Sequence, residues 1–338
     1  MDLKLLHAVA AGQSLTEEQA ETAMRALLAG QSTPVLTASF LTALHMKGET
    51  IDELTGFARA MRAAAVQLPI PASCRPVLDT CGTGGNPTAG FNISTTAAFV
   101  IAGAGVRVAK HGNRSITSRS GSADLLEALG VKTTTTPEVV ARCVERAGIG
   151  FLFAPAFHEA VKYVQPVRLE LKFRTAFNFL GPLTNPAGAE MQVTGTWSDE
   201  AAEMIAGACA KLGLERGFVV HSDDGMGEVS IAAPTTVFAI RDGAVERLRL
   251  TPQHFGFHFQ PLDAIRGGDV AYNKAIAEAV LHGQHGAPRD TVIMNAALGL
   301  IAAEKTESWQ EAAAIAAQAI DSGAAIKALE DLRTESNT

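Results

Sequence analysis

From residue 76 onward, short β-rich runs alternate with alanine-rich helical stretches, and this alternation limits the fold of the 338-residue chain more than any other feature. The runs lie at 76–80, 105–109, 149–153, 192–196 and 218–221. Between them fall helical patterns at 94–104, 122–129, 137–147 and 199–212. Strand, helix, strand in repeated succession needs crossover connections, so the expected core is α/β with a mainly parallel sheet. Such sheets bind ligands at the carboxyl ends of their strands. Thr136, Pro137 and Glu138 read as a helix start, with a capping hydroxyl, proline at the first position and an acid in the first turn. Gly148 and Gly213 fit helix ends. Residues 229–250 hold several strand-like runs with Arg241-Asp242-Gly243 as a turn, which predicts a hairpin on the sheet edge. From Gly268 onward the pattern is mostly helical.

The first 70 residues are of a different texture. Apolar residues recur at intervals of three and four: Leu3, Leu6, Val9 and Ala10, then Ala20, Ala23, Leu27 and Leu28. Ser14 with Glu17, and Thr50 with Glu53, have capping-box spacing. Pro69 and Pro71 break the pattern. We therefore expect a helical domain at 1–70 and an α/β domain at 71–338.

With net charge −7 and a pI near 5.7, the chain exerts no long-range pull on nucleic acid or anionic lipid. A polyanionic ligand would have to meet positive charge gathered in one pocket. Cys74, Cys81, Cys143 and Cys209 form no C-x-x-C pair, which argues against a zinc site or a disulfide framework. No run of 18 apolar residues occurs. The expectation is a soluble, cytoplasmic protein with neither nucleic-acid nor membrane partner.

Four stretches carry chemistry. The first is Asp79 to Asn86, with Gly82-Thr83-Gly84-Gly85 at its centre, followed by Asn92-Ile93-Ser94-Thr95-Thr96. It leaves a strand and enters a helix, where glycine lets backbone amides approach an anion and the helix start adds partial positive charge. A plain glycine turn before a capped helix is the alternative. It is neither a P-loop nor a dinucleotide-binding loop. The second stretch is Lys110-His111-Gly112-Asn113-Arg114-Ser115, then 118–124 with Ser118, Arg119 and Ser122. Three side chains able to carry positive charge fall within five residues, as in a phosphate cradle. A solvated basic loop is the alternative. The third stretch is His221 to Glu228, where Asp223, Asp224 and Glu228 could hold Mg²⁺ or simply form an acidic turn. The fourth runs from Ala154 through His158 to Arg168 and Arg174. An arginine there suits a substrate carboxylate, and Arg174 could equally make a structural pair. His254 and His258 read as packing or loop histidines.

Together these stretches resemble anthranilate phosphoribosyltransferase. The resemblance also covers Arg174 to Pro186 (RTAFNFLGPLTNP), Gly267-Gly268-Asp269 and Asn295-Ala296-Ala297, in family order over nearly the whole chain. It implies a small helical domain, joined by part of 166–190, beside a larger α/β domain of the nucleoside phosphorylase/phosphoribosyltransferase kind. It implies a homodimer through the helical domain. It implies attack by the amine of anthranilate on C1 of phosphoribosyl pyrophosphate, with Mg²⁺ accompanying the diphosphate. By the same resemblance, Gly82, Thr83, Gly84, Gly85 and Asn86 would wrap the pyrophosphate. Asn92, Ser94 and Thr95 would hold phosphate oxygens, with Ser94 also on a metal. Lys110 and Ser122 would bind phosphoryl groups, and Lys110 would stabilise the leaving charge with no firm general base. Gly82, Asn113 and Arg168 would hold anthranilate, with His111 and His158 lining its path. Glu228 would be a metal ligand, with Asp223 or Asp224 as further candidates.

Three residues depart from the family pattern. Asn86 and Gly227 stand where aspartates are usual, and Lys172 stands where glycine is usual. The first two remove carboxylates from the Mg²⁺ region, so an altered magnesium requirement is expected. Two rival readings are a pyrimidine nucleoside phosphorylase on the same fold and a non-catalytic homologue that binds nucleic acid. The Lys-His-Gly-Asn-Arg stretch speaks against the first, and the acidic charge against the second.

Overall fold

The computed structural model describes residues 2–86, 88, 90–115 and 120–338. Ser118 and Arg119 of the second stretch lie outside them. Seven strands form one sheet: β1 (Leu78–Gly82), β2 (Val108–Gly112), β3 (Ile149–Phe153), β4 (Met191–Gly195), β5 (Arg216–Ser222), β6 (Thr235–Arg241) and β7 (Ala244–Leu250). Their order is β3-β2-β1-β4-β5-β6-β7. The first five are parallel, and β6 and β7 close the edge as an antiparallel hairpin. The chain moves outward from β1 to β2 and β3, then returns to place β4 on the other side of β1. The direction of the connections thus reverses between β1 and β4, and open α/β sheets bind ligands beyond the carboxyl ends of strands at such a switch point.

The helical part begins with α1 (Leu3–Ala10), α2 (Glu17–Leu28), α3 (Pro34–Lys47) and α4 (Ile51–Ala64). Gly56 of α4 has no room for a Cβ against Ala20 and the α2 backbone, so the two helices touch closely. Glu53 is fully buried, and its carboxylate accepts from the Leu15 and Thr50 amides and from Lys47, each at 2.9 Å. Buried carboxylates are tolerated when paired and hydrogen-bonded in this way.

One sheet face is covered by α5 (Ile93–Gly103), α6 (Ser122–Ala128), α12 (Val270–Leu281), α13 (Ala287–Ala302), α14 (Trp309–Asp321) and α15 (Ala324–Ser336). The other face meets α7 (Pro137–Ala147), α8 (Ala154–Phe157), α9 (Gln165–Leu171), α10 (Phe177–Leu183) and α11 (Asp199–Lys211). Val164, Ala176, Phe177, Leu180 and Leu183 share one apolar cluster with α1–α4, so the chain from 164 to 183 packs with the helical part.

Several local expectations are revised. The capping box of α2 is Thr16 with Gln19, not Ser14 with Glu17, and Ser14 instead accepts from Lys47 at 3.4 Å. Thr50 and Glu53 do form one. Thr136 occupies the cap position of α7 but gives no side-chain cap, and its hydroxyl lies against Glu138. The hairpin starts at Thr235, because 229–234 form a turn in which Ser230 bonds Asp224 rather than a ladder partner. Gly148 and Gly213 end their helices with φ of 74° and 83°.

Candidate functional site

Three glycines fit the carboxyl ends of the central strands together. Gly82 pairs with Gly195 in the β1–β4 register, and a Cβ on Gly195 would overlap the Gly227 carbonyl. Neither Gly195 nor Gly227 was singled out as a glycine requirement from sequence, although glycine ending a strand is the usual sign of a close backbone approach. Thr83 then donates its amide to Gly195 at 2.9 Å. Gly84 and Gly85 follow with φ of 67° and 70°, a left-handed pair that only glycine takes without strain. Among the described residues, the amides of Gly84 and Gly85 reach no protein acceptor.

The start of α5 stands opposite this turn. Asn92 is at its cap but caps nothing. Its side chain turns aside, accepting from Ser120 Oγ and Asn273 Nδ2 at 3.0 Å each and donating to the Ser120 carbonyl at 3.2 Å. These bonds tie the start of α5 to the loop at 120 and to α12. The amides of Ser94 and Thr95 are left without acceptors among the described residues. An eleven-residue helix with an uncapped start is an anion site by its partial charge and its open donors. The Ser94 carbonyl accepts from Thr80 Oγ1 at 3.3 Å, which ties the helix start to β1.

The cationic cluster does not act as one cradle. Lys110, His111 and Gly112 belong to β2, so successive side chains point to opposite faces. Lys110 lies on the α5 side, fully buried, with its ammonium bonded to the Thr80 carbonyl and to Thr80 Oγ1 at 3.2 Å. Burial draws its pKa down, while Asp79, Cys81 and Glu228 pull it back up. Gly112 has no room for a Cβ because Ser122 Oγ fills the space, and Ser122 bonds the Asn113 carbonyl at 3.2 Å. Arg114 is committed elsewhere. It bonds Asp124 at 3.2 Å and Glu127 at 2.6 Å and lies 5.7 Å from the Phe153 ring centre.

His111 points to the opposite face, where its Nδ1 meets the Gly181 carbonyl of α10 at 3.1 Å. Its ring lies 5.2 Å from that of His158. Burial, with the neighbouring His158, pushes the His111 pKa down to about 3, and burial pushes that of His158 to about 4. Both rings are neutral at pH 7. Both Nε2 atoms are buried without a hydrogen-bond partner. Asp79 is buried below them and accepts the His111 amide at 3.0 Å, fixing the end of β2. Arg168 of α9 is half-buried, and its guanidinium lies 5.0 Å from the Phe177 ring centre of α10. Its guanidinium donates to Gln165 Oε1 at 3.2 Å. Among the described residues it has no carboxylate partner, and burial lowers its pKa. Helix α10 thus joins Arg168 to the histidine pair along one wall. The Asn113 side chain accepts the Arg114 amide at 2.8 Å beside the end of β2.

Of the acidic candidates, Asp223 is bound by both Arg249 nitrogens, at 2.9 and 2.5 Å, and so is paired with the sheet-edge strand β7. Asp224 is taken by Ser230 at 2.5 Å and by the Met226 amide at 3.2 Å. Glu228 remains. Burial pushes its carboxyl up to about 7 and Asp224 adds to this, while Lys110 acts against it. Lys110 and Glu228 therefore feel each other across the end of β1. Among the described residues no group of three or more histidines, cysteines or acids is placed to hold a metal ion.

Two of the departures from the family pattern meet in space. The Asn86 amide donates to the Thr196 carbonyl and accepts from the Gly227 amide, both at 3.2 Å. A Cβ on Gly227 would overlap that side chain. The third departure, Lys172, caps α9 with φ 55° and ψ 16°, a left-handed position that suits glycine.

Comparison with known proteins agrees with this geometry. Residues 3–65 match the family model described as "Glycosyl transferase family, helical bundle domain", and residues 74–326 match "Glycosyl transferase family, a/b domain". An anthranilate phosphoribosyltransferase of Solibacter usitatus is 54% identical over 94% of this chain and 95% of its own length. One from Symbiobacterium thermophilum is 51% identical over 97% of this chain and 96% of its own. The crystal structure of the Thermus thermophilus anthranilate phosphoribosyltransferase superposes with a TM-score of 0.93 at 44% identity, covering 99% of both chains. The Saccharomyces cerevisiae enzyme in complex with PRPP and Mg superposes with a TM-score of 0.90 at 28% identity, covering 100% of this chain and 99% of that one.

Proposed function

Because the chain belongs to the glycosyl transferase family of the anthranilate phosphoribosyltransferases, we propose that it moves the phosphoribosyl group of phosphoribosyl pyrophosphate onto the amine of anthranilate, as in tryptophan biosynthesis. The observation that carries this reading is a set of four backbone amides, from Gly84, Gly85, Ser94 and Thr95, beyond the end of β1 and at the start of α5, that have no acceptors among the described residues. They suit a diphosphate and a phosphate. On the α10 side, the carboxylate-free Arg168 suits the acid group of anthranilate, because a half-buried guanidinium without a counter-ion favours an anionic ligand.

The nitrogen lone pair of anthranilate forms the bond to C1 as the C1–oxygen bond breaks. Pyrophosphate leaves with that electron pair, and the nitrogen gives up a proton to solvent. Lys110 is buried and bonded to Thr80; in this reading its charge stabilises the negative charge that grows on the leaving group. The amides of the glycine turn meet the same charge without reorganising. His111 and His158 stay neutral and give the acceptor's path an aromatic lining. Positioning provides most of the acceleration, since an aromatic amine needs no strong base.

Glu228 and Ser94 are the residues that would hold Mg²⁺. One carboxylate and one hydroxyl fit an ion that keeps several waters and takes its remaining ligands from substrate phosphates. The ion would neutralise charge on the departing diphosphate. With Asn86 and Gly227 in place of carboxylates, the expectation is that the enzyme needs more Mg²⁺ or is less inhibited by excess.

Leu3, Val35, Met46 and Leu169 are exposed by 50, 74, 81 and 56% on α1, α3 and α9, which pack side by side. This apolar face supports a homodimer through the helical part. No helix among the described residues is long and apolar enough to cross a membrane. With the negative charge, this supports a cytoplasmic enzyme without nucleic-acid or membrane partners.

The test follows anthranilate fluorescence with and without the sugar diphosphate and Mg²⁺. Loss of fluorescence only with both is the expected result. No loss, or phosphorolysis of uridine or thymidine instead, would overturn the reading. A 260/280 nm absorbance ratio typical of pure protein is expected, in contrast to a nucleic-acid carrier.

A further inference from the structure

The glycine turn is gripped from outside by Arg174. Its Nη2 donates to the Gly85 carbonyl at 2.6 Å. The guanidinium lies 4.9 Å from the ring centre of Trp197, which in turn stands edge-on to Phe179 at 4.8 Å. Among the described residues Arg174 has no carboxylate partner. An exposed arginine held by a carbonyl and an indole face, rather than by an acid, keeps its charge uncompensated beside the turn.

The grip has a geometric consequence. In a trans peptide the C=O and the next N–H point in opposite directions. Holding the Gly85 carbonyl toward Arg174 therefore turns the Asn86 N–H the other way. That amide, like those of Gly84 and Gly85, has no acceptor among the described residues. Gly84 and Gly85 are both left-handed, and glycine peptides rotate easily. The turn is otherwise tied to its surroundings by Thr83 to Gly195, at 2.9 Å, and by the Asn86 side chain to Thr196 and Gly227. The Gly85 carbonyl is the tie between these two, and Arg174 supplies it.

We propose that Arg174 is a positioning residue for the diphosphate: it fixes the Gly85–Asn86 peptide with its N–H directed away from the guanidinium and toward the anion, and Trp197 is the platform that holds the guanidinium in place. This rests on the reading of the glycine turn as the diphosphate cradle. The ordered turn binds pyrophosphate and the sugar diphosphate, whereas the acceptor on the α10 side does not depend on it.

The test is steady-state kinetics of R174A, R174Q and R174K. Arg174 is exposed, and R174Q keeps a donor-bearing side chain of similar shape, so loss of fold does not obscure the result. Loss of a charge-assisted hydrogen bond at an exposed site predicts a rise of about tenfold in KM for phosphoribosyl pyrophosphate in R174A. Its kcat stays within about twofold and its KM for anthranilate is unchanged, because the removed interaction is made in ground and transition states alike. R174K recovers part of the loss. The chain has two tryptophans, Trp197 and Trp309. In a W309F background, the emission of Trp197 changes on addition of magnesium pyrophosphate, and R174A abolishes most of that change. An unchanged KM in R174A, or an equal rise for both substrates, overturns the proposal. If the unaltered protein neither turns over the two substrates nor responds to pyrophosphate, the reading of the whole site fails instead.

Discussion

Lys110 and His111 are adjacent in sequence and sit on opposite faces of the sheet, one beside the start of α5 and the other against α10. One strand thus presents an ammonium on one face and a neutral ring on the other, which in the proposed function are the diphosphate and acceptor sides. Lys110→Met keeps the buried stem and removes the charge. The expected result is a fall in kcat of about a hundredfold or more, the usual cost of removing one preorganised electrostatic group. Circular dichroism should be unaltered, and a variant with near-normal kcat would contradict the role given to Lys110.

Arg168→Ala tests the other side. A charged hydrogen-bonding partner is worth about 1.5–3 kcal/mol, so KM for anthranilate should rise by roughly ten- to a hundredfold. KM for the sugar diphosphate should hold. Unchanged anthranilate KM would refute the assignment.

Acid should weaken the fold through the histidine pair. His111 and His158 remain neutral in the folded chain down to about 3 and about 4, while in the unfolded chain both take up protons near the ordinary value of 6.5. Below that value the unfolded state binds more protons, so stability is lost as pH falls from 6.5 toward 4 and is independent of these groups above about 7.5. Denaturant midpoints should show this slope. A double variant with glutamine at 111 and 158 should flatten it, and an identical slope would count against burial as the cause.

Asn86 and Gly227 should behave as a coupled pair. Gly227→Ala places a methyl group against the Asn86 amide and should cost about 1–3 kcal/mol, as overpacking usually does. Adding Asn86→Ala should recover part of this, with a coupling of about 1 kcal/mol between the two sites. Additive losses in urea melts would show that the clash is absorbed elsewhere.

Lys172→Gly should stabilise. A left-handed non-glycine residue costs about 1–2 kcal/mol, and glycine's greater chain entropy returns part of that, leaving a gain of about 0.5–1 kcal/mol. Thermal unfolding at fixed protein concentration measures it. A lower melting temperature would mean that the lysine stem packs usefully on α9.

The strand–helix alternation was readable because most strand interiors are apolar and β-branched. The ends of β1 and β2 were not, since Cys81-Gly82 and Lys110-His111-Gly112 look like loop and yet pair with β4 and β3. That shift decides which side chains share a face, and so the three-cation cradle dissolved. Arg114 finds Glu127 across a turn of tertiary structure that no local spacing reveals. Ser14-x-x-Glu17 and Thr16-x-x-Gln19 overlap within a few residues, and only the helix start chooses between them. The contact between Asn86 and Gly227 joins distant parts of the chain and follows from β5 lying beside β4, which the order of runs along the chain does not dictate.

The packing of Gly82, Gly195 and Gly227 leaves backbone against backbone at the donor end, with little volume for even a methyl group. Diversification is therefore one-sided. Variants with altered taste for substituted aromatic amines should arise along α9 and α10, where side chains would do the lining, whereas on the proposed reading the glycine turn itself meets the sugar diphosphate through main chain that substitution at these glycines can break but hardly retune.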